Sequence, residues 1–195
     1  MTDAAPKRSW LNPIIAALLV AALQTAALGY MIEGRASILR NGREILLKTV
    51  PVDPRDLLRG DYVILSYDIS RLEPELFKGD LPAQSEETTL YVRLNKQIDG
   101  FWQATEASFQ PLPTLGDSVL LRSQPFSYYP TSPPSAVTVD YGIERFYVPE
   151  GEGRVLEEAR NAEALSVSVR VDDKGQAQIR EIAINGAPIY QEPLY

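Results

Sequence analysis

Five charged side chains crowd the stretch PVDPRDLLRGDY, where Asp53, Asp56 and Asp61 alternate with Arg55 and Arg59. Three carboxylates on one loop form the kind of oxygen donor set that holds a hard cation such as Ca²⁺. The interleaved guanidiniums neutralise that set, so the expectation is an ion-paired turn with no metal. Gly60 can take the positive φ that closes the turn, and Asp61 can accept backbone N–H groups within it. Beyond Asp61 the chain alternates as a strand does. Val63, Leu65, Tyr67 and Ile69 fall on one apolar face, with Tyr62, Ile64, Ser66 and Asp68 on the other. If the strand already begins at Asp61, its carboxylate points to the apolar face and needs a partner there, Arg55 and Arg59 being nearest.

A second charged constellation lies in DYGIERFYVPEGEGRVLEEA. Tyr141, Gly142, Glu144, Arg145, Phe146 and Tyr147 alternate as a strand that Pro149 ends. Glu150, Gly151 and Glu152 then precede a helix, whose positive end suits carboxylates. Alternatively, Glu144, Glu150 and Glu158 could meet Arg59 and Asp61 across a sheet and line one polar site. That alternative requires the two blocks to touch.

The chain has no histidine and no cysteine. Their absence removes Ser-His-Asp and Cys-His nucleophile systems, His- or Cys-ligated zinc and disulfides. Two catalytic alternatives remain. One is a carboxylate-pair hydrolase, which no spacing singles out. The other is a Ser-Lys hydrolase, because PTLGDSVLLR is faintly similar to the nucleophile region of membrane-bound signal peptidases. Leu112 stands where that family has its serine before the proline, and Lys48, Lys78, Lys96 and Lys174 all fall in or beside turns. The expectation is therefore a protein with no catalytic residues and no cofactor.

The elements that position these residues begin with an apolar run. Residues 11–32, LNPIIAALLVAALQTAALGYMI, hold no formal charge, and about 20 residues suffice to span a bilayer as a helix. Trp10 and Tyr30 bracket the run as interfacial aromatics do. A cleaved signal peptide would need a shorter apolar core. The expected organisation is a tail at 1–10, a transmembrane anchor in the lipid bilayer at 11–32 and an extracytoplasmic domain at 33–195. Lys7 and Arg8 precede the span, but Arg35, Arg40 and Arg43 follow it, so orientation rests on the short tail staying inside while the long domain crosses. Of the 195 residues' net charge of -7, the tail contributes Asp3, Lys7 and Arg8. Residues 33–195 thus carry 25 acidic and 17 basic side chains, which excludes nucleic acid as an expected partner.

The domain reads as mainly β. ASILRNGREILLKT predicts a hairpin turning at Asn41-Gly42, and TLYVRLNKQIDGFWQATEA one at Asp99-Gly100. LSVSVRVDDKGQAQIREIAI predicts a third, with Leu165, Val167, Val169 and Val171 facing inward. Residues 136–148 add one or two strands. The one helix expected runs from Arg154 to about Ala164, burying Val155, Leu156, Ala159 and Ala162. Hairpins with one short helix indicate a β sandwich or open barrel behind a single N-terminal membrane helix.

Gly60-Asp61-Tyr62, Leu65 and Tyr67 match position by position the motif that names the GDYxxLxY family, and VPVDPRDLLRGDYVILSY with DYGIERFYVPEGEGRVLEEA resembles that family's two blocks. The resemblance implies a bacterial, membrane-anchored protein of unassigned activity that accompanies a multi-spanning membrane protein. It supplies no reaction. The expected function is that of a non-catalytic accessory or binding partner in the inner membrane, with a small-ligand sensor as the variant reading. The residues singled out for binding are those of the two blocks, from Asp53 to Tyr67 and from Tyr141 to Gly151.

Overall fold

The computed structural model describes residues 12–51, 62–149 and 151–193. Contacts divide the chain into two units, residues 1–36 and 37–195. The first is dominated by α1 (Pro13–Asn41), whose most apolar stretch has a mean hydropathy of 2.0 and makes the helix a candidate transmembrane span. Pro13 occupies the first helical position, where a missing N–H costs nothing, and the Asn12 side chain accepts the Ile14 N–H at 2.9 Å. Ile14, Leu18, Leu19, Leu23 and Leu28 are all exposed.

The second unit is built of strands in several sheets. In chain order they are β1 (Arg43–Lys48), β2 (Tyr62–Ile64), β3 (Arg71–Leu72), β4 (Glu86–Thr88), β5 (Tyr91–Lys96), β6 (Trp102–Ser108), β7 (Val119–Arg122), β8 (Phe126–Tyr128), β9 (Val137–Thr138), β10 (Arg145–Tyr147), β11 (Leu165–Val171), β12 (Ala177–Ile184) and β13 (Ala187–Gln191), with α2 (Gly153–Asn161) between β10 and β11. One sheet runs β1-β11-β12-β13 and a second β6-β5-β7. Three antiparallel pairs, β2 with β10, β3 with β9 and β4 with β8, complete the set among the described residues.

Two expected hairpins form as read. β5 and β6 pair across the Asp99-Gly100 turn, where the Asp99 carboxylate accepts the Phe101 N–H at 3.0 Å. β11 and β12 pair across residues 172–176, where Asp172 accepts the N–H groups of Lys174 and Gln176. Leu165, Val167, Val169 and Val171 are buried as expected. They join Ile45, Leu47, Leu94, Leu121, Tyr67 and Tyr141 in one core cluster.

The first hairpin does not form. Residues 36–41 continue α1, and Asn41-Gly42 ends the helix instead of turning a ribbon. Propagating an existing helix adds one hydrogen bond per residue fixed, whereas a new hairpin must nucleate. The Gly42 N–H donates to the Ile38 carbonyl at 2.8 Å. A Cβ on Gly42 would lie 2.5 Å from that oxygen and 3.0 Å from Val171 backbone atoms, so the glycine serves close approach. β1 then pairs with β11.

The α2 stripe is also narrower than expected. Leu156 and Ala159 are buried, but Val155 is exposed and Ala162 caps the helix. Glu163 takes φ of 55°, and the N–H groups of Glu163 and Ala164 return to the carbonyls of Arg160 and Ala159. That is the Schellman closure, ordinarily made with glycine at the left-handed position. Glu152 stands at the N-cap without bonding the helix, its carboxylate accepting the Tyr190 phenol instead.

Two outcomes follow for chemical denaturation of the full chain in detergent micelles. Gly42→Ala should lose about 1–3 kcal/mol, the range for overpacking against backbone that cannot retreat. Glu163→Gly should gain up to about 1 kcal/mol by relieving the left-handed angle, less the small surface pair with Lys48.

Candidate functional site

The described part of the first block, Tyr62 to Ile69, meets the second block, Tyr141 to Val148. β2 pairs antiparallel with β10, setting Tyr62 opposite Tyr147, Val63 opposite Phe146 and Ile64 opposite Arg145. The Leu65 N–H extends the ladder to the Glu144 carbonyl at 2.8 Å. Alternation along the first block is as expected, with Val63, Leu65, Tyr67 and Ile69 all at most 1% exposed.

Beyond Leu65 the chains leave the ladder, one into a 3-10 turn at 68–70 and the other into a turn at Gly142 with φ of 84°. Their buried carbonyls would lack partners there, which costs about 1–3 kcal/mol each. Two phenols supply the bonds in exchange. The Tyr67 hydroxyl donates to the Ile143 carbonyl at 2.7 Å, and the Tyr141 hydroxyl donates to the Ile69 carbonyl at 2.7 Å. Burial, with the nearby Glu144 charge adding, holds both phenols well above the usual tyrosine pKa.

Glu144 closes the second turn, its two carboxylate oxygens accepting the N–H groups of Tyr141 at 2.6 Å and Gly142 at 2.8 Å. Burial nevertheless raises its pKa, with Asp140 adding and the backbone bonds opposing. Asp68 is raised too, again chiefly by burial; Lys48 opposes the shift and Asp99 adds to it. One Asp68 oxygen is buried with no partner among the described residues.

Sequence reading missed Arg160. It comes from α2, is 2% exposed and donates from Nη1 to the Ile64 carbonyl at 2.6 Å. Its Nε and Nη2 bond the Asn161 side chain. The signal was present: Arg160 follows Leu156 by four residues, on the helix's buried face.

Of the residues singled out from sequence, Leu65, Tyr67 and Tyr141 are buried in the interlock, Glu144 is half-buried and Gly142 makes the turn. Gly151 is an exposed turn glycine with φ of 88°. Tyr62 is half-buried on the outer face, its ring 5.9 Å from that of Tyr147, and the Arg145 guanidinium lies 5.9 Å from the Tyr62 ring centre. Asp53, Arg55, Asp56, Arg59, Gly60, Asp61 and Glu150 lie outside the described residues. Glu158 pairs with Arg154 at 2.8 Å on the exposed side of α2.

The serine of PTLGDSVLLR is already engaged. Ser118 is buried, its hydroxyl accepting the Leu115 N–H at 3.1 Å and Arg93 Nη1 at 3.3 Å. Lys48, Lys78, Lys96 and Lys174 are all exposed, so none is the buried lysine that a Ser-Lys pair needs. No group of three or more Asp or Glu side chains suited to a metal occurs among the described residues.

With this geometry in place, a family model described as GDYXXLXY protein matches residues 24–182, and the chain belongs to that family. No curated protein and no solved structure matches the chain.

Removing either phenol oxygen should leave one buried carbonyl unpaired. Tyr67→Phe and Tyr141→Phe are each expected to lose about 1–3 kcal/mol in chemical denaturation, while Tyr62→Phe should lose less than about 0.5 kcal/mol. The raised carboxylates predict a pH dependence. The native state holds their protons more tightly than the unfolded state, whose values are 3.8 for Asp68 and 4.5 for Glu144. Their contribution is fully present below those values and is lost as pH rises through the folded values. Stability should therefore rise as pH is lowered from neutrality toward those values, and the rise should shrink in Asp68→Asn. An unchanged pH profile in that variant would remove Asp68 from the account.

Proposed function

We propose that this member of the GDYXXLXY family is a single-pass, membrane-anchored protein whose β domain docks, without catalysis, on an extramembrane part of a multi-spanning membrane protein. In this reading α1 is a retained anchor in the cell (inner) membrane, and the domain is extracytoplasmic.

The observation that carries the docking is the outer face of the β2–β10 ribbon. Tyr147 is 70% exposed and Ile64 39% exposed, and Arg145, opposite Ile64 in the ladder, holds its guanidinium over the Tyr62 ring. Tyrosine and arginine are among the side chains enriched at the energetic centres of protein interfaces. Their other chain neighbours, Val63, Phe146 and Val148, are buried in the core, so the face is presented by a rigid element. A guanidinium held on a ring suits a partner carboxylate beside an apolar contact.

Tethering supports the same reading. A domain confined to a bilayer meets other proteins of that bilayer at high effective concentration, so a small face is enough. The acidic balance of residues 33–195 disfavours anionic lipid head groups as the alternative surface.

A photo-crosslinking amino acid in place of Tyr147, in native membranes, tests this. It should yield an adduct with an integral protein of several spans, and the same residue in place of Ile98, fully exposed on a hairpin tip, should not. Arg145→Ala should reduce co-purification of that protein in mild detergent by roughly tenfold or more. Equal adducts from both positions, or none from Tyr147, would overturn the docking face.

A further inference from the structure

Among the described residues only two charged side chains are buried, Arg93 and Arg160. Arg93 has its counter-charge, since Nε meets the Glu106 carboxylate at 2.7 Å. Arg160 has none. It is 2% exposed, and it forms no ion pair with a carboxylate among the described residues. A buried charge is costly unless it is paired as well as hydrogen-bonded.

The fold meets part of that charge. Arg160 stands in the last turn of α2, where the helix dipole favours a cation. Burial nevertheless lowers the guanidinium's pKa, and the charge of Glu157, one turn back, opposes without cancelling it.

The donors of Arg160 are not equivalent. Nη1 is committed to the Ile64 carbonyl at 2.6 Å and ties α2 to β2. Nε and Nη2 form the other side of the fork. Both bond one atom, the Asn161 side-chain oxygen, at 3.2 and 3.1 Å. Paired N–H groups of a guanidinium match the two oxygens of a carboxylate. Here they share a single neutral acceptor, near the long end of the hydrogen-bond range.

Asn161 is exposed and is the last residue of α2, so its side chain can swing into water without disturbing the core. A carboxamide and a carboxylate have the same shape, so the space that the amide leaves is the space that the anion needs. The fork also lies beside the docking face. Ile64, whose carbonyl Arg160 holds, is 39% exposed there, and Arg145 is its ladder partner.

We propose, resting on the docking reading above, that the Nε–Nη2 side of Arg160 is a carboxylate-binding site. The Asn161 amide closes it in the free protein, and an Asp or Glu side chain of the docked partner fills it. Docking exchanges one shared neutral acceptor for two charged oxygens, while Nη1 keeps its bond to Ile64. The buried cation then has the counter-ion that Arg93 has within the chain.

Nuclear magnetic resonance of the isotope-labelled full chain in neutral detergent micelles tests the site, with sodium acetate as probe and sodium chloride at equal ionic strength as control. Acetate should saturably shift the Arg160 Nε–H resonance and the Asn161 side-chain amide, and chloride should not. In Asn161→Asp the fork is filled from within, so acetate should bind roughly tenfold or more weakly. In Asn161→Ala the competing amide is gone, and acetate should bind roughly two- to tenfold more tightly, the effect of one hydrogen bond. No saturable shift, an equal response to chloride, or wild-type affinity in either variant would each overturn the site. In native membranes, Asn161→Asp should also reduce co-purification of the integral protein cross-linked from position 147 by roughly tenfold. Full co-purification in that variant would overturn the partner's carboxylate and leave the docking face standing. Acetate binding in a chain that gives no adduct from position 147 would overturn the docking face and, with it, that partner as the occupant.

Discussion

Two carbonyls left without strand partners set the terms for this domain. The β2–β10 ladder is only three residue pairs long, and the chains diverge inside the core. Buried backbone acceptors cannot be abandoned there, and water is excluded. The reciprocal donation of Tyr67 to Ile143 and Tyr141 to Ile69 satisfies both while allowing the chains to turn. Arg160 does the same for the Ile64 carbonyl from the helix side. Each interaction joins segments far apart in sequence, so the phenols and the guanidinium fix which parts of the chain are neighbours.

The motif's spacing follows from that arrangement. Leu65 and Tyr67 are two apart on a strand, so both face the core, one as packing and one as packing plus donor. Tyr62 is an odd number of positions from each and therefore lies on the opposite face, beside Tyr147 and Arg145. One short segment thus holds the domain together with one side and offers the other to solvent. The buried side chains account for the geometry, and the exposed ones belong to the proposed docking face.

Much of this was legible in the sequence. Period-two alternation correctly put Val63, Leu65, Tyr67 and Ile69 inside, and Asp99-Gly100 and residues 172–176 announced their hairpins. Asn41-Gly42 misled because a dipeptide signal carries no information about a helix already propagating into it. Val155 misled because a three-turn helix has room for one narrow buried stripe, and Arg160 occupies part of it. The swapped phenols were out of reach, since alternation gives a side chain's face and not the distant carbonyl it will bond. The contact between the two blocks was anticipated as a polar site, yet its described part is a ladder finished by tyrosines. The charged half of that site, Asp53 to Asp61 with Glu150, lies outside the described residues.

Sequence separation gives these contacts a temporal meaning. The phenol bonds close loops of 76 and 72 residues, Thr49 bonds the Leu165 carbonyl across 116, and the Ser168 hydroxyl reaches Glu44 across 124. β1 is made more than a hundred residues before its partner β11. Non-local pairing of this kind slows folding, because loop closure must be met before the contacts reward it. The early strand therefore waits, its Ile45 and Leu47 unburied, until β11 has been made. Wiring of this kind leaves an unpaired strand edge open to pairing elsewhere in the interval.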